Sequence, residues 1–377
     1  MSRIEIKEVQ SKKDLKKFIA FPDKLYEGNQ YRVPPLHTFE MATLDKKKNP
    51  AFDYCEAKYW LAYKDGKIVG RIAGILNPKS NEIWNEKMMR FGWIDFVDDP
   101  EVSKALIDTV ENWAKEKGME GVHGPLGFTD MDLEGMLVEG FNELATQAVL
   151  YNYPYYPEHM EKLGYAKATD WIQYELKLND DKVPDKIKRV SQIVQKKYNL
   201  KFKNFKKSKE IKPYARQVFE VINKSYTNLY GFVPLTEKQI EYYTNLYFDM
   251  VNPKYVGFVV DENDRLVGFG LGVLSLSKAM IKAKGKLFPF GWYHILKALY
   301  KNDTIDLLLH AVLPEYIGKG VPAIFYEHMT QACIDNGVTT AITSHILEDN
   351  KPSLQMFNAY EKRQHLRRRI YAKELGD

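Results

Sequence analysis

"VLPEYIGKGVPA" occupies Val312–Ala323, between two runs of different character. Before it, "TIDLLLHAV" (304–312) is a short apolar run that reads as a strand. After it, "PAIFYEHMTQACIDNG" (322–337) reads as a helix, with Pro322 suited to a first turn and Gly337 to a stop. Gly318 and Gly320 sit at the turn. Such a loop is either a tight connection or a place where backbone N–H groups approach phosphate oxygens at a helix N-terminus, where the helix dipole favours negative charge.

The composition sets bounds on the choice. A chain of 377 residues has room for two domains, and 45% hydrophobic with 28% charged residues fits a soluble globular protein. A net charge of +5 does not mark a nucleic-acid binder. The 25 Tyr and 19 Phe point to large, partly buried aromatic surfaces or a roomy apolar pocket. Cys55 and Cys333 are solitary, which excludes a disulfide framework and a cysteine zinc knuckle. "MSRIEIKEVQSKKDLKKFIAF" carries charges throughout and has no apolar core, so it does not read as a signal peptide. No uncharged run approaches the ~18 residues of a spanning helix. A cytoplasmic protein is expected.

Working outward from the loop, the chain repeats itself. "YWLAYKDGKIVGRIAGIL" (59–76) and "YVGFVVDENDRLVGFGLGVL" (255–274) both read as hairpins that start at Tyr and turn at polar residues. Both then reach a Val-Gly pair, at Val69-Gly70 and Val267-Gly268. Each is followed by a strand, a helix ended by glycine (Gly118, Gly337), another strand and a short helix. This is the pattern of a duplicated α/β unit. Between the halves, "NDDKVPDKIKRVSQIVQKKYNLKFKNFKKSKEIK" is Lys-rich and reads as a solvated, charged linker with an exposed helix, the alternative being a basic patch for an anionic partner. The expected boundaries are 1–178, 179–212 (the linker and the first strand of the second unit) and 213–377.

This order of elements resembles the GNAT acyltransferase superfamily. Val312-Leu313-Pro314-Glu315-Tyr316-Ile317-Gly318-Lys319-Gly320-Val321-Pro322 is similar to the family's acyl-CoA pyrophosphate loop, "V-x-P-x-Y-R-G-x-G-I-G". Ile317 stands where Arg or Gln is usual, and Pro322 removes one N–H donor. The resemblance implies tandem GNAT-like domains, each a mixed, mostly antiparallel sheet flanked by helices. It implies acyl-CoA or acetyl-CoA as co-substrate, held by Val312, Leu313, Gly318, Lys319, Gly320 and Val321, and needs no metal. Asn350, in "TTAITSHILEDNKPSLQMFNAYEK", matches the Asn that caps the family's last helix and contacts pantetheine. Tyr360 matches the Tyr that protonates the leaving thiolate, and Glu348 and His310 are candidate bases. A backbone N–H near Leu313 is expected to polarise the acyl carbonyl. The first half reads "DDPEVSKAL" where its loop would be, so no CoA site is expected there. It would instead shape the acceptor site or support the second half.

The implied activity is N-acylation of an amine, a small molecule or a long-chain lipid amine as in related bacterial ceramide synthases. The alternatives are a non-catalytic acyl-CoA-binding protein and an aminoacyl-tRNA-dependent transferase. Nucleic acid is not the expected partner. The carboxylates of "GPLGFTDMDLEGMLVEGF" (124–141) could face an ammonium group. Residues 276–302, "LSKAMIKAKGKLFPFGWYHILKALYKN", mix lysine with aromatic residues, as a segment that lies on an anionic membrane at its inner face or covers a long acyl chain would, the alternative being an ordinary helix packed on the domain.

Overall fold

The computed structural model describes residues 3–178, 182–248 and 251–376. Among them are fourteen strands: β1 (Glu5–Glu8), β2 (Glu56–Lys64), β3 (Lys67–Leu76), β4 (Met88–Phe96), β5 (Gly121–Gly124), β6 (Met136–Glu139), β7 (Ala166–Lys177), β8 (Lys201–Lys203), β9 (Val256–Val260), β10 (Leu266–Leu274), β11 (Thr304–Val312), β12 (Thr340–Ile342), β13 (Ile346–Leu347) and β14 (Glu361–Glu374). They fall into two compact units. The first holds the chain up to Trp171, Leu276–Ile295 and everything from Leu366 on. The second holds Ile172–Ser275 and Leu296–His365.

These limits differ from the boundaries read off composition, and strand pairing is the reason. The end of β14 pairs antiparallel with β5 (Tyr371↔Gly124), so the C-terminus completes the first unit. The end of β7 pairs antiparallel with β12 (Thr340↔Lys177), so the last residues of the first repeat complete the second unit. Residues 179–181, where the expected linker starts, lie outside the described residues. The rest of that segment carries the expected helix and first strand, but the helix is docked rather than solvated. This helix, Asp185–Tyr198, buries Ile187, Ser191 and Val194. Ile187 packs with Val183 and Ala323 in an apolar cluster. A helical stripe inside a Lys-rich run is enough to dock it, because the lysines can all face water.

Within each unit the order of strands is the same. In the first, β1, β2, β3 and β4 are antiparallel neighbours and β5 is parallel to β4. In the second, β8, β9, β10 and β11 are antiparallel neighbours and β12 is parallel to β11. The Val-Gly pairs noted in sequence occupy one register position. Gly70 faces Phe96 and Gly268 faces Val312. One residue on, Val97 N–H donates to Val69 O at 3.0 Å and Leu313 N–H to Val267 O at 2.8 Å. Glycine suits both positions because the space over the strand is tight, filled by the following helix at Gly70 and mainly by the next strand at Gly268. A Cβ on Gly70 would lie 2.7 Å from Leu106, and one on Gly268 would lie 3.1 Å from Ala311 O and Val312 on the next strand and 3.3 Å from Val321. The two helices, Pro100–Glu116 and Pro322–Asp335, bury Val102, Leu106, Val110 and Trp113 in one case and Phe325, Met329 and Cys333 in the other.

The acidic glycine-rich loop of the first unit turns inward. Asp132 Oδ2 accepts from the N–H groups of Phe128 (2.8 Å) and Thr129 (3.2 Å). Burial raises Asp132 to about 7 and Glu134 to about 8. Of the carboxylates in that loop, Asp132 organises its own backbone and Glu134 is buried. Among the described residues no helix is long and apolar enough to cross a membrane.

Candidate functional site

The second unit opens where β11 outruns its neighbour. Parallel pairing with β12 covers only Thr304–Asp306, whereas β11 continues to Val312. Strand alternation fixes what the free edge offers. Because Leu313 N–H and its carbonyl partner Val267 close onto β10, the N–H and C=O groups of Val312 and His310 point the other way. The carbonyls on that edge are taken: Tyr226 Oη donates to His310 O at 2.8 Å, and Ser225 Oγ donates to Val312 O at 2.7 Å. The N–H groups of His310 and Val312 have no acceptor among the described residues. At His310 and Val312 the edge thus has its carbonyls occupied and its N–H donors free, as suits an incoming carbonyl. Two N–H groups lie at the position expected near Leu313. Leu313 N–H is spent on the sheet, and Val312 N–H is the one on the open edge.

Past the strand the chain makes a short turn over Pro314–Tyr316 and enters the helix Pro322–Asp335. Gly318 and Gly320 both have left-handed backbones, with φ of +75° and +79°. A side chain at either would be strained. The N–H groups of Gly318, Gly320 and Val321 have no acceptor among the described residues. They lie at the N-terminal end of a 14-residue helix. Lys319 Nζ stacks over the Tyr198 and Tyr316 rings, 5.1 Å from each centroid. Ile317 is 55% exposed and supplies no charge.

A polar cluster sits under the apolar face of the same helix. His310 Nδ1 lies 3.4 Å from the Tyr326 hydroxyl. One turn along, Thr330 Oγ1 and the Tyr360 hydroxyl are 2.8 Å apart. Burial pushes His310 down to about 4, and the Tyr360 phenol up to about 12 against the opposing Thr330 hydrogen bond. Tyr326 is raised well above its usual value by burial, with the Tyr360 and Tyr226 hydroxyls adding to the push. The structure thus brings His310 and Tyr360 into one neighbourhood through Tyr326 and Thr330, which sequence reading had not singled out. Their i, i+4 spacing as polar groups on an apolar helix face is the signal that could have found them. Asn350 caps the helix Lys351–Met356, its side-chain oxygen accepting from Ser353 N–H at 3.3 Å. Glu348 is partly buried just past β13 and takes no part in the contacts above.

His310 gives a pH prediction. Its folded value, about 4, lies below the ~6.5 of an unfolded histidine. Between those values the unfolded chain binds the extra proton, so stability falls as pH drops through that window and is unaffected above it. In an NMR titration the His310 ring signals should stay fixed from about pH 8 to pH 5. A midpoint near 6.5 would refute a desolvated, neutral imidazole.

At the matching place the first unit closes both openings. Pairing of β4 with β5 stops at Arg90↔His123 while β4 runs on to Phe96. There Phe96 N–H, the counterpart of Val312 N–H, donates to the Tyr156 hydroxyl at 3.0 Å, and Tyr155 Oη donates to Phe96 O at 2.6 Å. The chain then passes almost directly into the helix Pro100–Glu116, whose first turn is capped by Asp99 accepting from Glu101 N–H at 2.9 Å. A carboxylate already occupies the end where a pyrophosphate would sit.

Residues 216–360 match the acetyltransferase (GNAT) family. The chain is 29% identical over 371 residues to Protein YghO of Escherichia coli (strain K12), covering 97% of this chain and 94% of that protein. It is 26% identical over 294 residues to a bacterial ceramide synthase of Caulobacter vibrioides (strain NA1000 / CB15N), covering 76% of this chain and 74% of that one. A tandem GNAT protein from the clavulanic acid biosynthesis pathway shares the fold over 100% of this chain and 99% of its own, with a TM-score of 0.58 at 12% identity.

Proposed function

We propose, from the match of residues 216–360 to the acetyltransferase (GNAT) family and the tandem GNAT fold, that this chain is an N-acyltransferase that moves an acyl group from acyl-CoA to the amine of a long-chain lipid. The observation that carries the transfer reading is the open edge of β11, with free N–H groups on Val312 and, beyond it, on Gly318, Gly320 and Val321. The loop donors take the pyrophosphate, with Lys319 adding charge and Leu313 fixing the turn. Val312 N–H polarises the thioester carbonyl. His310, neutral at pH 7, takes a proton from the acceptor amine directly or across Tyr326; Glu348 is the second candidate base. The amine nitrogen bonds to the acyl carbon, the C–S bond breaks, and Tyr360 returns a proton to the departing thiolate. Asn350 holds the last helix and presents its amide to the pantetheine arm.

Similarity to a protein named as a ceramide synthase supports the lipid acceptor. So does the segment 276–302, through which peripheral contact with a membrane is part of this reading. Burying ten methylenes contributes about 8 kcal/mol before ordering costs, enough to make chain length the main selector. A turnover assay comparing long-chain amines with lysine and aminoglycosides, with short and long acyl-CoA donors, tests it. Long-chain amines should react at least tenfold faster. Preference for polar amines with acetyl-CoA would leave a small-molecule acetyltransferase instead.

A further inference from the structure

Residues Leu276–Ile295 belong to the first unit and have two sides of different character. On one side Met280 is buried, and Leu276, Ile281, Leu287 and Ile295 pack with it against Tyr26, Val33, Leu36 and Tyr151. The backbone is pinned as well: His37 N–H donates to Gly285 O at 2.9 Å. On the other side the large apolar side chains are left out. Phe288 is 77% exposed, Phe290 70%, Tyr293 53% and Trp292 45%. Apolar exposure on this scale, held on an anchored frame, marks an interaction surface.

We propose that this surface docks on an anionic lipid bilayer. The charges choose the partner. Lys278, Lys282, Lys284 and Lys286 are all exposed, and no Asp or Glu occurs from Leu276 to Ile295. Lysines attract the negative surface of anionic lipid, while aromatic rings settle at the headgroup level, where one face is apolar and one edge polar. Phe288 and Phe290 enter the acyl boundary, and Trp292 and Tyr293, at the start of the helix Gly291–Tyr300, lie at the interface. Self-association would bring four lysines of each copy together, which disfavours a second copy as the occupant. The proposal deepens the membrane part of the reading above. Lipid binding is measured without turnover, so its failure and that of the transfer reaction are distinguishable.

The test is co-sedimentation of the full chain with phosphatidylcholine vesicles, with and without phosphatidylglycerol. Binding should require the anionic lipid and weaken as salt screens the lysines. Phe288→Ser with Phe290→Ser should weaken it at least tenfold, and Lys282→Glu with Lys284→Glu should weaken it by about fivefold per lysine lost. Thermal melts check that both variants fold. No binding to anionic vesicles, or equal binding by the folded aromatic variant, overturns the proposal. So does a wild-type dimer that the aromatic variant converts to monomer, because the patch would then be a protein interface.

Discussion

Gly320→Glu abolishes the thermal stabilisation that acyl-CoA gives the native chain. A ligand that binds only the folded state at a hundredfold over its Kd adds about 2.7 kcal/mol, which shifts the melting curve measurably. Gly320 has a φ of +79°, and a Cβ there would press on Val190 and Val194 at 3.1 and 3.2 Å. The substitution thus displaces the loop from the helix Asp185–Tyr198 and puts a negative charge beside the donors meant for phosphate. Lys319→Glu separates charge from backbone distortion, since Lys319 is exposed. It should fold normally and bind more weakly, with the loss shrinking at high salt. Substituting Asp99 or Glu101 in the first unit should leave the acyl-CoA shift unchanged. A shift retained by Gly320→Glu and lost on changes around Glu101–Lys104 would move the co-substrate to the other unit.

Tyr360→Phe lowers kcat by about a hundredfold or more, the usual contribution of a positioned general acid. KM for acyl-CoA should change little, because the phenol does not face the loop donors in this reading. The substitution also removes the Thr330 hydrogen bond at 2.8 Å, for a stability loss of about 1 kcal/mol. Thr330→Val removes the same bond but keeps the phenol, so it isolates the structural share. An acyl donor with a more acidic thiol separates the roles further. Its thiolate leaves without a proton, so the defect of Tyr360→Phe should shrink with it. Tyr360→Phe at wild-type rate, or a defect indifferent to the leaving group, would exclude Tyr360 as the acid. Tyr326→Phe should then be measured in its place, since the Tyr326 hydroxyl reaches His310.

Much of this architecture was legible in the chain itself. The paired hairpins with Val69-Gly70 and Val267-Gly268 announce a duplication, because a glycine at a close-packed strand position leaves its mark in local sequence. The loop Val312–Ala323 was legible for the same reason: left-handed backbone demands glycine, and a helix start tolerates proline. Three matters needed the fold. Which strand completes which unit depends on pairing over long sequence separations, and neither β7 nor β14 carries a local sign of its partner. Which N–H groups stay free depends on strand parity, so only the register shows that Leu313 is spent and Val312 is not. The Tyr326–His310 and Tyr360–Thr330 contacts depend on how one helix rotates over one strand edge. Sequence determined the local conformations and the apolar stripes, since both come from neighbours along the chain. Tertiary structure decided which donors are left open and which hydroxyls meet, since those follow from packing between segments far apart in sequence.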